Sequence, residues 1–242
     1  MTPAVPVPEG TIAKKPLHFF WLADHSGSMR GRKIATLNQA IREAVPEVRK
    51  AVGAYPEVDI RMRAIKFADR AEWHVGPDAV SVDAFAWPEL EASGATATAQ
   101  ALRLLAEELT LERMPRRGYP PVCILISDGY CTEPPAEYNQ AIADLLQLPW
   151  GKKAVRLAIA IGNPTEYDEQ ELLKFVSHPE IGVLKAETPQ ALVSYIRWAS
   201  VSASVSVSQG KSREGSPVDA AHNVILAQPP TAPVITSSTD AF

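Results

Sequence analysis

Residues 17–29 read LHFFWLADHSGSM, an apolar run that ends in an aspartate and then a serine- and glycine-rich loop. A run that is apolar from Leu17 to Ala23 at every position but His18, rather than at alternate ones, predicts a strand buried on both faces, as in a parallel sheet. Just downstream, Ile34, Leu37, Ile41, Val45, Val48 and Val52 recur every three or four residues and predict one face of a long helix. Pro46 lies inside that helix; its ring should clash with the carbonyl of Arg42 and kink or break it.

The strand-then-helix pattern repeats along the chain. Val58–Phe67 reads as a strand and Ala71–Val75 as a short antiparallel one paired to it. Leu102, Leu105 and Leu109 mark a helix starting near Ala95 to Ala97. Val122–Ser127 is a second fully apolar strand ending in an aspartate. A helix follows at Pro135–Leu148, then a strand at Ala154–Ile161, a helix at Glu166–Val176 with Thr165 as its cap, and a strand at Ile181–Leu184. Thr188-Pro189 is a capping residue followed by proline at the first helical position, and opens the last helix. The expected fold is α/β and doubly wound: a mostly parallel sheet, helices on both faces, and one short antiparallel edge strand. Leu17–Ala23 and Val122–Ser127 are its adjacent inner strands. The expected organisation is a flexible leader (1–15), one domain (16–200) and a Ser/Pro-rich, largely disordered extension (201–242). Within that extension, Val201–Ser208 reads either as a strand or as the end of a helix.

Of the 242 residues, 46% are hydrophobic and 21% charged, which is ordinary for a globular domain able to stand without disulfides. A net charge of −4 provides no footprint for nucleic acid or an anionic membrane. No apolar run approaches the ~18 residues that cross a bilayer, and Met1–Lys15 lacks the pattern of a secretion signal. The two cysteines, Cys123 and Cys131, make no disulfide framework. The expected location is the cytoplasm. Cys123 reads as a small buried hydrophobe, and the tryptophans as packing residues.

Three segments fall where the carboxyl ends of the inner strands should form a crevice: Asp24-His25-Ser26-Gly27-Ser28, Gly94-Ala95-Thr96 and Asp128-Gly129. Two carboxylates and three hydroxyls offer only oxygen, a donor set suited to Mg²⁺, Mn²⁺ or Ca²⁺ rather than zinc or copper. Taken singly, each segment has a plain reading: Asp24 and Ser26 as helix caps, Asp128-Gly129 as a turn.

Taken together, Asp-x-Ser-x-Ser, a distant threonine and a later Asp-Gly resemble the metal-ion-dependent adhesion site of von Willebrand factor A domains. LADHSGSMRGRKIATLNQAI, SGATATAQALRLL and ILISDG are similar to bacterial tellurite-resistance Y proteins, over roughly residues 16–209. The resemblance implies a Mg²⁺ centre held by Asp24, Ser26, Ser28, Thr96 and Asp128, with Ser26 and Ser28 in direct contact, Thr96 bound directly or through water, and the two aspartates mainly through water. Thr98 competes with Thr96 for its role. His25, Ala95 and Ala99 depart from the family's usual Thr and Gly. The resemblance further implies a metal-dependent protein-binding adaptor in a stress or tellurite-resistance complex, not an enzyme. Its metal would take an Asp or Glu of a partner such as a protein kinase or phosphatase. Two other readings stay open: a metal-dependent hydrolase using Asp24 or His25 as base, and a metal or oxyanion binder using Arg30, Arg32 and Lys33. His25 is expected at a solvent-facing rim.

Overall fold

A computed structural model describes residues 14–128, 130–209, 224–231 and 242. Six strands form one sheet in the order β3-β2-β1-β4-β5-β6. They are β1 (Lys15–Asp24), β2 (Val58–Phe67), β3 (Ala71–Ser81), β4 (Val122–Ser127), β5 (Val155–Ile161) and β6 (Leu184–Ala186). Only β2 and β3 pair antiparallel. The two strands read as fully apolar are adjacent and central, with Trp21 opposite Ile124 and Ala23 opposite Ile126.

The continuous burial of β1 from Leu17 onward is explained by two cores. Phe19 and Trp21 face the layer that packs against α1 (Arg32–Val52) and α6 (Pro189–Ser208); Phe20 and Leu22 face the layer under α2 (Thr98–Glu108) and α3 (Pro135–Gln147). Two shorter helices, α4 (Pro149–Lys153) and α5 (Glu169–Phe175), complete the chain. After β1 the chain winds outward to β2 and β3, then returns to the other side of β1 as β4. Strand order therefore reverses between β1 and β4, and their carboxyl ends open a crevice there. Among the described residues, no helix is long and apolar enough to cross a membrane.

Several local expectations are corrected. Helix α1 runs unbroken through Pro46. Pro46 is exposed, so the Arg42 carbonyl it strips of a partner lies on the wet side, while Ala44, Val45 and Val48 stay buried on the other. Strand β3 is not short: it continues past Gly76-Pro77 to Ser81, with a register shift against Met62–Ile65. It is an edge strand, where proline's missing N–H need not cost a ladder bond. Helix α2 begins at Thr98, and its Ala99 N–H is capped from another loop by Glu133. Helix α5 starts at Glu169, because Asp168 rather than Thr165 accepts the Glu171 N–H at 3.0 Å. The last strand is Leu184–Ala186, since Ile181 and Gly182 turn back onto the His178 carbonyl. Thr188 does cap α6, accepting from Ala191 N–H at 3.1 Å.

At the ends, Lys15 already belongs to β1, and α6 extends to Ser208, so Val201–Ser208 is helix rather than strand. Part of the segment expected to be disordered is docked: Val224 is buried and its carbonyl accepts from His178 Nε2 at 2.8 Å. Residues 1–13, 129, 210–223 and 232–241, with the expectations that fall on them, lie outside the described residues.

Candidate metal centre

The crevice is built from its backbone first. Beyond β1 the chain makes one 3₁₀ turn at Gly27–Met29 before α1. That turn is bound to the segment before α2 by two hydrogen bonds, Gly27 N–H to the Gly94 carbonyl at 2.9 Å and Ser93 N–H to the His25 carbonyl at 2.8 Å. The approach is close: a Cβ on Gly27 would meet the Gly94 oxygen at 3.3 Å. Gly94 itself has φ +78°, and a Cβ there would stand 2.6 Å from the Asp69 carboxyl group. Only glycine adopts that conformation cheaply in such a space. Asp69 in turn accepts the Ala95 N–H at 2.8 Å.

On this frame the side chains converge. Asp24 Oδ1 accepts the Ser26 N–H at 2.8 Å, and Asp24 Oδ2 accepts the Ser127 hydroxyl at 2.6 Å. Ser26 Oγ and Ser28 Oγ are 3.0 Å apart, and Ser28 donates to Asp128 Oδ1 at 2.8 Å. With the Ser28 proton committed to Asp128, Ser26 is the donor of the pair. The second Asp128 oxygen accepts from Lys33 Nζ at 2.8 Å. Four of the five expected residues thus form one connected chain, although Asp24 and Asp128 are 104 positions apart in sequence.

Thr96, the fifth, is buried in the Gly94–Ala97 segment of the same crevice. Its peptide is clasped by Thr132, whose hydroxyl accepts from Thr96 N–H at 3.1 Å and donates to Thr96 O at 3.2 Å. Thr98 is the first residue of α2 and is also buried.

Electrostatics explain what such a cluster could hold. Asp24 is fully buried, and desolvation pushes its carboxyl up to about 6, with the nearby Asp128 adding to the rise and hydrogen bonds from Ser127 and Ser26 opposing it. A buried carboxylate facing hydroxyls, with a second carboxylate close by, is stabilised by a cation with affinity for hard oxygen. Among the described residues no group of three or more His, Cys, Asp or Glu side chains is arranged to hold a metal, so hydroxyls would have to complete the ligand set. Asp24, Ser26, Ser28 and Asp128 fit that requirement.

His25 differs from expectation. It is half-buried, and its Nδ1 lies 3.0 Å from the Glu91 carbonyl, a tie to the neighbouring loop rather than a free rim position. Arg30 is exposed at the crevice mouth. Cys123 is buried, its thiol pushed up to about 12 by desolvation, as suits an inert core residue. Sequence reasoning overlooked Ser127 and the engagement of Lys33 with Asp128. Ser127 could have been noticed as the hydroxyl next to Asp128; the Lys33 contact has no signature in spacing.

Residues 19–130 match the family model described as the von Willebrand factor type A domain. Over those residues the chain is similar to von Willebrand factor A domains. No curated protein matches it. Solved structures that share the fold include a von Willebrand factor type A protein from Catenulispora acidiphila, 18% identical with a TM-score of 0.56, covering 80% of this chain and 43% of that one. Proximal thread matrix protein 1 of the mussel byssus, solved with a zinc-occupied MIDAS motif, is 20% identical with a TM-score of 0.58, covering 80% and 46%. The ArnB paralog VWA2 of Sulfolobus acidocaldarius is 17% identical with a TM-score of 0.57, covering 76% and 45%. The chain spans less than half the length of each. At these identities the likeness establishes the von Willebrand factor A fold.

Proposed function

We propose that this domain is a metal-dependent protein-binding adaptor rather than an enzyme. Asp24, Ser26, Ser28, Thr96 and Asp128 would hold a divalent cation, the two aspartates mainly through water, and the ion acts in a cytoplasmic complex by accepting an Asp or Glu side chain of a partner. The supporting observation is the connected chain Asp24–Ser26–Ser28–Asp128 at the strand-order reversal. When bound, the metal supplies a Lewis-acidic contact for a carboxylate. The protein supplies mostly neutral hydroxyls, which leave the ion electron-poor. The all-oxygen donor set favours Mg²⁺, with Mn²⁺ or Ca²⁺ as substitutes. The zinc-occupied motif of the mussel protein shows that a related fold takes a divalent ion, and makes zinc worth including in any metal comparison.

The resemblance to tellurite-resistance Y proteins points to a stress-response setting, with a protein kinase or a protein phosphatase as candidate partners. His25 has an imidazole nitrogen against the Glu91 carbonyl, and Lys33 is engaged by Asp128. The engagement of Lys33 favours binding of a partner over oxyanion capture.

Affinity capture of the tagged chain in Mg²⁺ and in EDTA, beside a Ser26→Ala/Ser28→Ala variant, tests the reading. Preys held only by the wild type in Mg²⁺ are expected, with the metal-free variant melting like the metal-free wild type. Metal-dependent capture that survives in the double variant would overturn it.

A further inference from the structure

Lys33 stands in the first turn of α1, where the positive end of the helix dipole makes an ammonium unfavourable. It is nevertheless mostly buried, its side chain 12% exposed, against an Asp128 carboxylate that is fully buried. Lys33 Nζ lies 2.8 Å from Asp128 Oδ2 and 3.4 Å from Glu166 Oε2. Glu166 is itself fixed, accepting the Asn163 N–H at 2.7 Å. Room for it exists because residue 162 is glycine, with φ +103°, where a Cβ would stand 2.2 Å from Glu166 Oε2. Three segments of the chain, α1, the loop after β4 and the loop after β5, thus meet on one ammonium.

The consequence lies in Asp128. Ser28 takes one of its oxygens and Lys33 the other, at 2.8 Å each. A carboxylate engaged at both oxygens is held in one orientation beside Ser28, and the Lys33 ammonium competes with a cation for it. Resting on the metal-binding reading proposed above, we infer that Lys33 is a positioning residue that holds Asp128 back from direct contact with the metal. It thereby keeps the ion electron-poor and receptive to an acidic partner. The Lys33–Glu166 contact secures the ammonium from the opposite side.

Mn²⁺ alone is a sufficient probe, read by titration for affinity and by water-proton relaxation for the number of metal-bound waters. In Lys33→Met, Asp128 is released and enters the metal's shell. Mn²⁺ should bind tighter by roughly tenfold, the scale on which groups around metal ligands act, and carry fewer waters than in the wild type. Lys33→Arg should restore wild-type behaviour. The gain should vanish when Asp128→Asn is added to Lys33→Met, because it works through that carboxylate. Lys33→Gln serves as a second neutral variant if Lys33→Met fails to fold.

Tighter binding with unchanged water count, persisting in the Asp128→Asn background, would reduce Lys33 to a nearby charge and overturn the inference while leaving the metal site standing. A wild-type chain that binds no Mn²⁺ would overturn the site itself.

Discussion

Ser127, the last residue of β4, donates its hydroxyl to Asp24, the last residue of β1, across 2.6 Å. The bond joins the two strands where their order reverses, and it satisfies one oxygen of a carboxylate that has no access to water. Ser127→Ala would leave that oxygen unpaired. We expect the variant to lose about 1–3 kcal/mol of stability, the usual penalty for a buried polar group stripped of its partner. Urea unfolding of the metal-free protein measures this; a loss below about 0.5 kcal/mol would mean the bond is dispensable.

Gly94→Ala tests the frame on which the ligands sit. The added methyl carbon would stand 2.6 Å from the Asp69 carboxyl at a residue with φ +78°. Strain of about 1–3 kcal/mol is expected, spent largely on moving the segment that carries Thr96. Mg²⁺ affinity should fall while the far-UV circular dichroism of the core stays unchanged. Unaltered affinity would show that the segment does not contribute to the centre.

Metal should stabilise this domain modestly. The two apolar layers on either side of the sheet do not depend on the crevice, so the metal-free protein should remain folded. Mg²⁺ at a hundredfold excess over Kd should add about 2.7 kcal/mol if it binds only the native state. Melting in Mg²⁺ and in EDTA measures the difference; outright unfolding in EDTA would identify a structural ion instead.

The fold was legible because its decisive signal is local. Apart from His18 and Ser127, every residue of Leu17–Ala23 and Val122–Ser127 is apolar, and only a strand covered on both faces needs that. The misjudged elements are those where neighbours override a local rule. Pro46 breaks an isolated helix but not one whose opposite face is clamped in the core, and Pro77 ends an inner strand but not an edge strand. The same division runs through the centre. Asp24, Ser26 and Ser28 declare themselves by spacing within one loop. Lys33 carries no such mark, because its partner Asp128 is 95 residues away and the contact exists only once α1 lies beside β4.

Acid should weaken the fold through His18. Burial, with Arg63 and Arg61 adding to it, lowers this imidazole to about 4, and Arg63 donates to its Nδ1 at 3.0 Å. In the unfolded chain the ring titrates near its ordinary 6.5. Between those values the unfolded state binds the extra proton, so stability rises with pH. The contribution is complete above about 6.5 and is lost as pH falls toward 4. A loss on the order of 1–3 kcal/mol is expected across that window. Asp24, raised to about 6, acts in the opposite direction over much of this window. The effect is therefore read as the difference between wild type and His18→Asn in chemical denaturation at pH 7, 6, 5 and 4. An equally steep slope in the variant would assign the effect to other groups.

The direction of β1 also decides how the domain can be attached to anything else. The strand enters the sheet at Lys15 and reaches the crevice only at Asp24. At ~3.3 Å per residue those two ends are about 30 Å apart. A bead, a fusion or a membrane tether joined ahead of Lys15 therefore meets the sheet at the edge opposite the ligands. A bulky partner approaching Ser28 and Arg30 would come from the far side, and an immobilised domain would still be accessible to it.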